Sequence, residues 1–105
     1  MTRQYGLKDD VIRKIHGVLE RYPQVQEAII YGSRAKGNYR NGSDIDLTLV
    51  GGEDLDRSIL NHIIVELDEL FLPYTIDVSI FSSISDSDVM EHIRRVGKVF
   101  YRKVS

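Results

Sequence analysis

Asp44 and Asp46 stand two residues apart in the run Asp44-Ile45-Asp46-Leu47-Thr48-Leu49-Val50. Polar and apolar residues alternate through it, which predicts a half-buried strand. Alternation sends Ile45, Leu47 and Leu49 to one face and both aspartates, with Thr48, to the other. The two carboxylates are then about 6.6 Å apart along the strand axis. A second alternating run, Thr75 to Ile80, puts Asp77 on its polar face with Thr75 and Ser79. If the two strands are neighbours, roughly 4.8 Å apart, three carboxylates can converge on one spot. Anions that close repel one another, and a divalent cation resolves the conflict. All-oxygen ligands without His or Cys suit Mg²⁺ or Mn²⁺ rather than zinc. Two such ions roughly 4 Å apart would clamp the attacking and leaving oxygens of an in-line displacement at phosphorus.

The phosphate side lies upstream, in Gly32-Ser33-Arg34-Ala35-Lys36-Gly37. It follows the short apolar run Ala28-Ile29-Ile30-Tyr31, read as a buried strand, and opens a helical turn. Free backbone N–H groups at such a start point at an anion, and Ser33 adds a hydroxyl donor. Gly32 lets a phosphate approach with no side chain in the way. Arg34 and Lys36 are candidates to neutralise its remaining charge. Ser43, beside the aspartates, either caps the turn or touches phosphate. Tyr39 and Arg40 share this loop, where an aromatic ring can stack on a base but a solvated one is the plainer reading. His16, His62 and His92 lack ligand spacing and read as surface or satisfied histidines. Glu66, Asp68 and Glu69 fall on the polar side of a helix and read as solvated.

These groups need a scaffold. Leu7, Val11, Ile12, Ile15, Val18, Leu19 and Tyr22 mark one face of a helix over 7–22, with Pro23 beyond its end. A second long helix begins after Gly51-Gly52, with Asp54 as its N-cap and an apolar side running from Leu55 to Phe71. A third spans about 86–96, capped by Gly97, and Val99-Phe100-Tyr101 is a last short strand or a docked extension. The strand–helix–strand step from 45 to 80 requires parallel strands, whereas the short link from 31 to 44 can reverse direction. The expected fold is therefore α/β (α+β), a mixed sheet of three to four strands flanked by helices, in one domain over 1–105.

Composition agrees. Of 105 residues, 42% are hydrophobic and 29% charged, which is ordinary for a globular domain. Fourteen Lys and Arg against sixteen Asp and Glu leave a net charge of −2, so nucleic acid is an unlikely partner. The absence of cysteine excludes disulfides, zinc ribbons and thiol catalysis. No apolar run reaches the roughly 18 residues of a membrane span, and Met1-Thr2-Arg3-Gln4-Tyr5-Gly6 has no leader-like stretch. A cytoplasmic protein without membrane contact is expected.

Gly32-Ser33, ten residues, then Asp44-Ile45-Asp46 resembles the signature of the DNA polymerase β-like nucleotidyltransferase superfamily. The fuller GSRAKG through SDIDL resembles its minimal nucleotidyltransferase (MNT) branch, the antitoxin half of HEPN/MNT toxin–antitoxin pairs. Asp77 matches the third carboxylate of that family, and Lys36 stands where the family often has Arg. The resemblance implies the nucleotidyltransferase fold and two Mg²⁺ ions held by Asp44, Asp46 and Asp77. It implies transfer of a nucleoside monophosphate, AMP from ATP, with Gly32 and Ser33 holding the triphosphate tail and Asp77 able to take the acceptor's proton. It also implies a helical HEPN-type or substrate-binding-like protein, encoded nearby, whose tyrosine receives AMP in a hetero-oligomer.

So short a chain is expected to leave its acceptor site to that partner. Two rival functions stand beside this one. The chain could be an antitoxin that neutralises by occlusion without catalysis, or a small-molecule nucleotidyltransferase of aminoglycoside type completed by a separate helical subunit.

Overall fold

A computed structural model describes residues 3–104. Met1, Thr2 and Ser105 lie outside the described residues, and with them part of the stretch read as leaderless. Strands β1 (Arg3–Gln4) and β2 (Leu7–Lys8) form a small hairpin turned by Tyr5 and Gly6, both at positive φ (58° and 72°). Helix α1 (Asp9–Glu20) follows, then β3 (Val25–Tyr31), the short α2 (Gly32–Lys36) and β4 (Ile45–Gly51). Helix α3 (Arg57–Asp68) leads to β5 (Ile76–Ile80), a 3₁₀ turn (Phe81–Ser83), α4 (Ser87–Val96) and β6 (Lys98–Arg102).

The main sheet has the order β5-β4-β3-β6. β4 runs parallel to β5 and antiparallel to β3, which is antiparallel to β6. This is the mixed sheet expected from one crossover and one short reversing link, with the tail supplying its fourth strand.

Ile45, Leu47, Leu49, Ala28 and Ile30 are fully buried on one face. They join Val11, Ile15, Val18 and Leu19 of α1 and Ile63 and Leu67 of α3 in a single core cluster. The two helices are tied at their solvent side, where Arg21 Nε donates to Glu66 Oε1 at 2.9 Å and the Tyr22 hydroxyl donates to Glu66 Oε2. The hydrogen bond from Tyr22, aided by Arg21, holds the Glu66 carboxyl below its ordinary range. α4 packs on the opposite face, and its buried Ile93 lies outside the main core cluster.

Element ends differ from the periodicity in instructive ways. The first helix starts at Asp9, not residue 7, because Leu7 and Lys8 pair with Gln4 and Arg3; Leu7 still reaches the core. Asp54 does not cap α3. It lies in a turn closed by Leu55 N–H to Gly52 O, and Asp56 is the cap, accepting from Ile59 N–H at 3.0 Å. The same helix stops at Asp68, so Phe71, expected on its apolar side, sits at φ 53° and is 88% exposed. Gly97 does stand at the end of α4, but with extended backbone rather than a left-handed turn. A Cβ there would lie 2.4 Å from the Ile93 carbonyl oxygen, so close approach is what calls for glycine. Asp56→Ala is expected to cost about 1 kcal/mol and lower the melting temperature by roughly 4–8 °C, whereas Asp54→Ala leaves it unchanged. Thermal melts of the two variants check this.

Candidate active site

The face of the sheet turned away from α1 and α3 is polar at the start of β4. Register puts Tyr31 opposite Asp46, Asp46 beside Asp77, and Thr48 beside Ser79. Side chains at paired positions share a face, so Tyr31, Asp46 and Asp77 form one row and Thr48 and Ser79 the next. Ser79 Oγ donates to Thr48 Oγ1 at 3.0 Å, which satisfies the fully buried threonine beneath the acids.

Asp46 is half-buried, whereas Asp44 and Asp77 are exposed. Burial pushes the Asp46 carboxyl above its ordinary range, and the negative charges of Asp77 and then Asp44 push it further. His92 of α4 acts the other way on Asp46 and meets the Tyr31 ring edge-on at 6.2 Å between centroids. The Tyr31 hydroxyl is pushed up by burial, which the Ser79 hydroxyl opposes and the two acids reinforce.

The three carboxylates do not close on one point. Among the described residues, no three His, Cys, Asp or Glu side chains are gathered closely enough to form a metal cage by themselves. Asp44 lies one residue before β4 begins, outside the pleat that aligns the other two, and like charges hold one another apart. The donor set still fits Mg²⁺, which uses one or two carboxylates and completes its octahedron with waters and substrate phosphates. The charges of Asp77 and Asp44, which add to burial in raising the Asp46 carboxyl, are ones a bound cation would offset.

Gly32 opens α2 directly against this group, at φ 74°. A Cβ added there would stand 2.3 Å from Asp46 Oδ2, so backbone and carboxylate meet with no room for a side chain. Ser33 is half-buried in the first turn, where amides have no intrahelical partner.

The other phosphate candidates fall elsewhere. Arg34 is 2% exposed and spent on protein: Nε and Nη2 donate to the Ser43 carbonyl at 3.0 and 2.9 Å, and Nη1 to the Tyr5 carbonyl at 2.9 Å. The guanidinium expected to contact phosphate is thus engaged by backbone carbonyls in this structure, away from solvent. Its neighbour Ala35 is core, so the turn that exposes Lys36 buries the arginine. Lys36 stands exposed at the far end of that turn. Ser43 caps rather than faces a ligand, its Oγ accepting from Arg40 N–H at 2.8 Å. Tyr39 packs on Gly6 and on the Arg34 guanidinium.

His16 is satisfied by the Phe100 carbonyl at 2.7 Å, and His62 is exposed. His92 is the one whose place beside the acids helix spacing did not reveal. Ser79 was expected on the polar face with Asp77, whereas Tyr31, read as the end of a buried strand, comes to the carboxylates only through strand register. A groove of about 460 Å³ is lined by Ile64, Val65, Leu72, Tyr74 and Ile76 among others. It opens on the Ile76 side of β5, and Asp77, its neighbour in the strand, points the other way.

A mixed sheet with paired acids at one strand start and a glycine-opened turn against them is the arrangement of a nucleotidyl-transferring enzyme. The chain belongs to the Polymerase beta nucleotidyltransferase family, whose model matches residues 13–105. It is 27% identical over 100 residues to the probable protein adenylyltransferase MntA of Haemophilus influenzae, covering 95% of this chain and 87% of that protein. Its fold is similar to that in a toxin–antitoxin complex with AMP-PNP, at a TM-score of 0.70 and 20% identity over 88% of this chain and 73% of that one. A similar likeness, TM-score 0.64 at 17% identity over 89% of this chain and 71% of the other, is to a complex of a tri-AMPylated Shewanella oneidensis HEPN toxin with MNT antitoxin. Among the described residues, no helix is long and apolar enough to cross a membrane.

Proposed function

We propose that residues 1–105 act as one nucleotidyltransferase domain that moves AMP from ATP to a tyrosine hydroxyl of a HEPN-type toxin, in the cytoplasm, and so serves as its antitoxin. The observation that carries the reading is the position of Asp46, held between Asp77 on the parallel strand and the bare Cα of Gly32. Support for the adenylyl group and the protein acceptor comes from the Haemophilus relative, named a protein adenylyltransferase.

In this reading Asp44, Asp46 and Asp77 hold Mg²⁺, in two ions. A bound metal would polarise the phosphoryl oxygens and offset the negative charge that gathers on them during transfer. Gly32 and Ser33 seat the triphosphate tail on the first amides of α2. The tyrosine oxygen attacks the α-phosphorus, the bond to the β-phosphate breaks, and pyrophosphate leaves. Asp77, exposed on the edge strand β5, takes the proton from the incoming hydroxyl.

The test incubates the chain with its co-encoded helical partner, Mg²⁺ and ATP labelled at the α- or the γ-phosphate. Label is expected on the partner from α-labelled ATP alone, and none from a partner whose acceptor tyrosine is phenylalanine. Transfer to an aminoglycoside but not to protein would move the reading to a small-molecule enzyme. Full neutralisation of the toxin by Asp44→Asn or Asp46→Asn would leave occlusion as the account.

A further inference from the structure

Arg34 is a fixed positive charge sealed inside the chain, and the transfer chemistry proposed above makes no use of it. Among the described residues, ion pairs join Arg21 to Glu66 and Arg102 to Glu27, and no carboxylate pairs with Arg34. Its guanidinium instead lies over two aromatic rings, 5.3 Å from the Tyr39 centroid and 4.9 Å from that of Tyr74, and donates to the Ser43 and Tyr5 carbonyls. Burying a cation is costly unless its surroundings replace water, and here carbonyl dipoles and ring faces do so. A buried cation bonded in this way fixes the segments that supply its partners.

What it holds are the approaches to both carboxylate strands. The Ser43 carbonyl belongs to the peptide that leads into Asp44, two residues before Asp46. Tyr74 lies three residues before Asp77, and the next carbonyl, that of Thr75, accepts from Ile45 N–H at 2.9 Å to start the β4–β5 ladder. The third anchor, Tyr5, turns the β1–β2 hairpin, whose Gly6 backs onto Tyr39. One planar, five-donor group thus joins the loop before β4, the segment before β5 and the N-terminal hairpin. A lysine cannot copy this, because a single ammonium has neither the rigid fork that reaches both carbonyls nor the flat face that contacts the rings.

We propose that Arg34 is a positioning residue for the carboxylates, fixing the entrances of β4 and β5 from which Asp44, Asp46 and Asp77 reach bound metal. The proposal rests on the metal-binding part of the nucleotidyltransferase reading, and its test reads metal binding apart from transfer. Mn²⁺ binding to wild type and Arg34→Lys is measured by electron paramagnetic resonance, backbone exchange at Asp44 and Ile45 by hydrogen–deuterium exchange, and kcat and KM for ATP in the transfer assay. The lysine variant is expected to bind Mn²⁺ about tenfold more weakly or worse, the usual cost of losing a group that orients a ligand. Faster exchange at Asp44 and Ile45 and a lower kcat at unchanged KM should accompany it.

Wild-type Mn²⁺ affinity with a raised KM for ATP would instead make Arg34 a phosphate contact and overturn the proposal, as would no change in any readout. If Arg34→Lys does not fold, Tyr74→Leu carries the test, because it removes one ring and leaves the hydrogen bonds. A Mn²⁺ affinity about two- to fivefold weaker in the folded Tyr74→Leu protein supports positioning, and an unchanged one refutes it. If wild type binds Mn²⁺ but labels no partner, the transfer reading fails while the Mn²⁺ and exchange measurements still decide the role of Arg34. A wild type that does not bind Mn²⁺ at all removes both.

Discussion

Asp46→Asn is expected to abolish AMP transfer while leaving the chain at least as stable as the parent at neutral pH. The two effects share one cause. Asp46 carries charge in a half-buried place beside Asp77 and Asp44, and both burial and repulsion raise its carboxyl above the ordinary range. A raised acid pKa means the folded chain holds this proton more tightly than the unfolded chain does. Stability on this account is therefore highest below the unfolded value and falls as pH rises through the folded one. Asparagine keeps the shape, carries no charge, and removes that loss. Melting curves at several pH values should show wild type losing stability relative to Asp46→Asn as pH rises through the carboxylate range. The rate should fall by about a thousandfold or more, because metal-held charge stabilisation is worth several kcal/mol and each ~1.4 kcal/mol is a factor of ten. A variant that still transfers label at a tenth of the parent rate would remove Asp46 from the chemistry.

Gly32→Ala should harm both fold and reaction, and the reaction more. At φ 74° an L side chain costs about 1–2 kcal/mol, which lowers the melting temperature by roughly 5–15 °C in a domain this size. The added methyl would also stand 2.3 Å from Asp46 Oδ2. A carboxylate is a mobile side-chain end and can rotate away at small cost to the fold. Rotating away takes it out of register with Asp77, and misplacement of about 1 Å can cost a hundredfold in rate. Activity should therefore fall by about a hundredfold or more in protein that still melts cooperatively. Near-wild-type transfer by Gly32→Ala would show that this contact has no bearing on the reaction.

The mixed sheet, the parallel β4–β5 pair, the reversing link from β3 to β4 and the common row of Asp46 and Asp77 were legible from two alternating runs and two link lengths, whereas the pairing of β6 was left open. Helix ends were not. Leu7 and Phe71 continue an apolar periodicity that hydrogen bonding ends earlier, in a hairpin at one side and a left-handed residue at the other. The burial of Arg34 was not legible for a related reason. In a turn of five residues the side that is buried depends on what packs above it, and its neighbours Tyr5, Tyr39 and Tyr74 come from three separate parts of the chain. Tyr31 and His92 reach the acids through strand register and helix packing, neither of which spacing along the chain encodes.

The division of labour between the two faces of the sheet has a consequence for how such a chain can change. Apolar mass and the Glu66 tie between the long helices lie on one side, and the candidate carboxylates lie on the other. A lineage could exchange every acid for a neutral residue and still inherit an intact body. Catalysis is thus a detachable property of this architecture, and an inert descendant would keep whatever surface its parent used to grip a partner.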